Sequence, residues 1–210
     1  MLLAYLNDAP VTASVGDFLV TDREDARRLA GDSANCVADE QVFVSHLQDE
    51  LQVAVYIDQQ VLDRLARHDP QVRLDDRNLQ DFCTALEGVS HFHYLVWSAE
   101  RGREVSLLEL ELQAEVDKYA AAVWLLLQQS RGHFPRHLHA RFFHRVHYLQ
   151  HLAGEHRERY WEANRQAAYF CRALDERFLT RRRAQPEAWL ASLRKFFRLG
   201  HPVKMRSVCA

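Results

Sequence analysis

The chain has 210 residues, 48% of them apolar and 10% aromatic, enough to bury one core and too apolar for a disordered polypeptide. Its longest apolar run, Tyr119 to Leu127, falls well short of the roughly 20 residues that span a bilayer. The formal net charge of −2 conceals a split: residues 1–130 carry 10 Lys/Arg against 23 Asp/Glu, net −13, and residues 131–210 carry 17 against 6, net +11.

The opening MLLAYLNDAP has no basic segment ahead of its short apolar stretch, which argues against a secretory signal. Four widely spaced cysteines, Cys36, Cys83, Cys171 and Cys209, form no CxxC pair and read as reduced thiols. A cytoplasmic protein with no membrane segment is expected. Only three lysines stand beside 24 arginines, so arginine density by itself says little about phosphate binding.

Residues 16–20 read as a short strand entering a helix, with Thr21 and Glu24 spaced as a capping box and Gly31 as the stop. The segment QVFVSHLQDELQVAVYID reads as a hairpin. A turn at Asp49 and Glu50 would set Val44 opposite Val55 and Val42 opposite Ile57. A helix is predicted over 59–67. After Pro70, Asp75 or Asp76 can cap another helix carrying Leu79, Phe82, Cys83 and Leu86 on one side, with Gly88 as its end.

HFHYLVWSAERGREVSLLELEL then reads as a second hairpin turning at Glu100, Arg101 and Gly102, followed by a helix over about 114–129. From about 136 to 180 the pattern is helical, with Gly154 as a candidate break, and a last helix covers about 186–198. The expected fold is α+β. A mixed or antiparallel sheet built from two hairpins, with covering helices, precedes an all-helical C-terminal region. The expected organisation is an acidic sheet domain over 1–130, a basic helical region over 131–200 packed on the same domain, and a flexible tail over 201–210.

Two clusters could carry chemistry. In the second hairpin, residues whose numbers sum to 202 would pair, so His91 faces Glu111 and His93 faces Glu109, all on one face of the sheet. Imidazole and carboxylate are ligands that zinc, iron and manganese accept. The simpler reading is a solvated face with cross-strand attraction. The second cluster is a helical stripe of His144, His147, His151 and Glu155 opposite an apolar face, either a weak metal site or a face that gains charge on acidification.

No HExxH, P-loop, GxGxxG or G-x-S-x-G motif occurs, and seven glycines supply few phosphate-cradling loops. The sequence therefore favours a non-catalytic interaction or regulatory protein over an enzyme. Its basic helices, with Arg141, Arg145, Arg181, Arg182 and Arg183, would meet an acidic protein surface or a second copy. The alternatives are a metal-dependent enzyme using His91, His93, Glu109 and Glu111 and, less favoured, a nucleic-acid-binding protein. No cofactor is required, although a divalent metal fits either His/Glu cluster.

Overall fold

The structure is a computed structural model that describes residues 2–31, 38–47, 50–144, 154–180, 184–200 and 203–204, with the backbone alone of His46, Leu47, Glu50, Leu51, Glu155 and His156. It is an α+β architecture. Helix α1 (Leu2–Asn7) and a 3-10 turn (Val15–Phe18) precede β1 (Leu19–Val20) and α2 (Arg23–Ala30). The hairpin β2 (Glu40–Leu47) and β3 (Glu50–Ile57) leads into α3 (Gln59–Arg67). Two long helices follow, α4 (Leu79–Ala99) and α5 (Leu107–Gln129), then α6 (Leu138–Phe143), α7 (Gly154–Leu174), a π turn (Asp175–Leu179) and α8 (Pro186–Arg198).

The sheet has strand order β1-β3-β2, with β1 parallel and β2 antiparallel to β3. Val42 pairs with Val55 and Val44 with Val53, so the hairpin closes one residue earlier than expected and its register moves by two. A two-residue shift leaves the side-chain alternation intact, because strand side chains repeat every second residue. Val42, Val53, Val55 and Ile57 therefore still form one apolar face, which packs on Phe92, Val89 and Ala85 of α4. The opposite face carries Tyr56, Phe43 and Val20 against Ala26 of α2, so helices cover both faces of the sheet.

Local signals account for the flanking helices. Asp22, not Thr21, caps α2, its Oδ1 accepting the amides of Glu24 and Asp25 at 2.8 and 3.0 Å. Gly31, at φ +67°, ends that helix. Asp58 caps α3 by accepting the Gln60 amide at 2.8 Å. Asn78 stands at the start of α4 in place of Asp75 or Asp76, with its amide turned back to the carbonyls of His68 and Arg73.

The centre of the chain departs from the sequence reading. The second hairpin does not form: its strands are the last three turns of α4 and the first turns of α5, joined by a loop in which Gly102 sits at φ +62°. Ser106 caps α5, accepting the Glu109 amide at 3.2 Å. Gly88 does not end α4; it lets the helix lie close on the sheet. A Cβ there would meet Glu40 Cγ and Oε1 at 3.0 Å and Val55 Cγ1 at 3.1 Å.

Every residue of α5 from Leu112 to Val123 is buried, the signature of a helix surrounded by others. Helices α1, α4, α6 and α7 pack around it. The basic half also meets the acidic half through ion pairs, Arg198 with Asp8 at 2.8 Å and Arg141 with Asp76. Most of 201–210 lies outside the described residues, but Lys204 is fully buried, its Nζ donating to Tyr94 Oη at 2.7 Å.

Candidate functional site

Helices α4 and α5 run antiparallel and bring a seam of charged side chains into the core. Glu87 and His91 lie four residues apart on α4, and so do Glu111 and Glu115 on α5, so each pair shares a helix face. Glu40 enters from the start of β2 through the space that Gly88 leaves open. Lys118, one turn beyond Glu115, completes the seam from below.

His91 is 7% exposed and sits between two carboxylates. Its Nδ1 is 3.7 Å from Glu40 Oε1 and its Nε2 is 3.6 Å from Glu111 Oε2. Both separations exceed hydrogen-bond length, and among the described residues His91 Nε2 and Glu40 Oε1 are buried without a hydrogen-bond partner. One ligand atom each from Glu87, His91 and Glu111 all fall within 4.8 Å of one another. Two ligands on one tetrahedral ion at about 2.1 Å are about 3.4 Å apart, so the His91–Glu111 gap has the width of a shared ion.

Lys118 Nζ donates to Glu87 Oε2 and Glu115 Oε1, both at 2.7 Å, and lies 3.4 Å from Tyr160 Oη of α7. Asn164, one turn beyond Tyr160, donates to Glu115 Oε2 at 3.4 Å. Burial opposes the charge on both cations of the seam, and the carboxylates outweigh it. Glu111 and Glu40 push His91 up to about 10, and Glu115 and Glu87 hold Lys118 well above the ordinary lysine value. Burial raises Glu40, whereas Glu111 is held below the usual carboxylate range because His91 and Lys118 outweigh its own burial.

Four carboxyl groups thus face two basic groups inside the protein. A cavity of about 220 Å³ reaches this seam from the α6–α7 side, lined by Lys118, Glu115, Tyr160, Asn164, Cys83 and Arg141. Burial pushes the Cys83 thiol up to about 12, which makes it a poor nucleophile at neutral pH.

Of the four residues expected on one face, the structure brings His91 and Glu111 together and sends His93 and Glu109 elsewhere. Residues two apart share a face of a strand, but on a helix they are about 200° apart. His93 is fully buried, its Nε2–H donating to the Ala9 carbonyl at 2.7 Å and its ring beside Phe197. Glu109 accepts from Tyr94 Oη and from Arg103 Nη2 at 2.9 Å, with Lys204 Nζ at 3.8 Å. Sequence reasoning missed Glu87, Glu115 and Lys118, whose signal is their four-residue and three-residue spacing from His91, Glu111 and Glu115.

The second histidine cluster is described only in part. His144 closes α6, with its ring 6.0 Å from that of His139. His147, His151, Arg145, Arg181, Arg182 and Arg183 lie outside the described residues, as does the Glu155 side chain. Comparison of the chain with protein-family models, curated proteins and solved structures gave no match.

Proposed function

We propose that this protein binds a divalent first-row metal ion through Glu87, His91 and Glu111, with Glu40 as a further carboxylate on the free side of the imidazole. The observation that carries this reading is the buried His91 Nε2, which lacks a hydrogen-bond partner among the described residues and stands 3.6 Å from Glu111 Oε2. A buried polar atom left without a hydrogen-bond partner costs about 1–3 kcal/mol; an ion between the two side chains removes that cost and takes the place of a proton that Glu40 and Glu111 favour on His91. The ligand set of one imidazole and two or three carboxylates suits zinc, manganese, iron or cobalt. The adjoining cavity ends on Lys118, which shares Glu87 with the cluster, so a small molecule held there would lie one carboxylate away from the ion.

Thermal unfolding with added zinc, manganese(II) or cobalt(II) tests this directly. A ligand at 100 times its dissociation constant stabilises the folded state by about 2.7 kcal/mol. The melting temperature of the wild-type chain rises with one of these ions and that of His91→Ala does not. An equal response of both proteins to all three ions overturns the assignment.

A second reading rests on the outer face of α7, where Trp161 and Tyr169 are 61% and 60% exposed. They alternate with Arg157, Arg165 and Arg172, the last two paired with Glu162 and Glu176, a stripe of exposed aromatic and cationic side chains of the kind that docks on an acidic protein surface. Salt-sensitive binding to polyglutamate that Trp161→Ala weakens supports this face. Binding that the substitution leaves unchanged removes it.

A further inference from the structure

We propose that Lys118 is the resident counter-cation of the Glu87–His91–Glu111 site, and that its ammonium competes with the bound ion and sets the site's metal affinity. The inference rests on the metal reading and adds to it a residue that holds affinity down. Lys118 is 5% exposed, and its Nζ lies 2.7 Å from an oxygen of Glu87, one of the three ligand-bearing residues. The same ammonium neutralises Glu115 at 2.7 Å, four residues along α5 from the ligand Glu111.

Without Lys118 the seam would hold four carboxylates against His91 alone. With it, Glu87 already donates one oxygen to a cation, and a positive charge stands one carboxylate away from any ion that arrives. Like charges in a buried, weakly screened setting repel strongly. The ion must therefore draw Glu87 from an existing charge-assisted bond or share it. Apart from Lys118, the described groups that face the cluster are Glu40 from β2, Glu115 from α5, and Tyr160 and Asn164 from α7. Arg141 of α6 also lines the adjoining cavity, and its guanidinium is paired with Asp76.

The test is a zinc titration of the full chain in competition with a chromophoric chelator, repeated with cobalt(II) and manganese(II). Lys118→Gln keeps a hydrogen-bond donor for Glu87 and Glu115 while removing the charge, so it binds zinc about tenfold more tightly than wild type. Lys118→Arg keeps the charge and stays within about threefold of wild type; a preserved far-ultraviolet circular dichroism spectrum certifies the fold of both. Wild-type binding that Lys118→Gln leaves unchanged or weakens overturns the counter-cation role and leaves the metal site standing. Should Lys118→Gln not fold, tighter binding by Lys118→Arg than by wild type overturns that role in the same way. Absence of binding by the wild-type chain for all three ions overturns both.

Discussion

His91 and Glu111 face each other between two antiparallel helices with 3.6 Å between Nε2 and Oε2, a separation too long for a hydrogen bond and close to that of two ligands on one ion. The geometry depends on a glycine. Gly88 lets α4 approach the sheet closely enough for Glu40 to reach the other side of the imidazole, 3.7 Å from Nδ1. Fold and site are coupled at that one position.

Substituting Gly88 therefore affects both. Gly88→Val places new carbon against Glu40 and Val55, which an ideal Cβ already approaches to 3.0 and 3.1 Å. Overpacking of this kind costs about 1–3 kcal/mol, more than a helix gains by losing a glycine. Urea unfolding is expected to show that loss, together with weaker metal binding as Glu40 is displaced.

His93 and His91 separate under mutation. His93→Ala removes a fully buried ring and its bond to the Ala9 carbonyl, for an expected stability loss of about 2–4 kcal/mol. Its metal affinity stays at the wild-type value. His91→Ala loses metal affinity, and it loses stability as well because Glu40 and Glu111 are left buried without their cation. Chemical denaturation and zinc titration on the same two variants distinguish these outcomes.

Asp175 gives the fold a pH dependence of its own. In the π turn its carboxylate accepts from Tyr119 Oη and from Trp189 Nε1 at 3.2 Å. Burial outweighs both and raises the carboxyl to about 7 from an ordinary value of 3.8. Between those values the folded chain holds a proton that the unfolded chain has released. Stability from this group is therefore full at low pH and falls as pH rises toward 7, by about 1.4 kcal/mol per unit. Asp175→Asn removes that slope, so the stability difference between wild type and variant changes from pH 4.5 to 7 and levels off above. A constant difference across that range contradicts the assignment.

Sequence signals served where an element has one wet face and failed where it has none. Helix α3 was legible over 59–67 from its apolar spacing, and α8 from Pro186 at its first position. The β2–β3 hairpin showed in its alternating valines, although the turn moved by one residue. In contrast, Ser90 to Tyr94 are buried without interruption, so no helical period remains and the β-branched and aromatic content reads as strand.

The site was half legible for a related reason. An antiparallel hairpin and an antiparallel helix pair both bring residue n near residue 202 − n, so His91 and Glu111 met under either reading. Their neighbours differ. A strand recruits residues two away, His93 and Glu109, whereas a helix recruits those four away, Glu87 and Glu115. Lys118 shows its spacing from Glu115, three residues before it, but its partner Glu87 on α4 has no sequence signal until the two helices are known to pair.

The most direct test of the metal site is elemental analysis of untagged protein, wild type and His91→Ala, after incubation with zinc, manganese(II) and cobalt(II) and removal of loosely bound ions. The expected result is about one ion per wild-type chain, as one cluster would hold, and little in His91→Ala. Equal metal in the two proteins, or none in wild type, would contradict it.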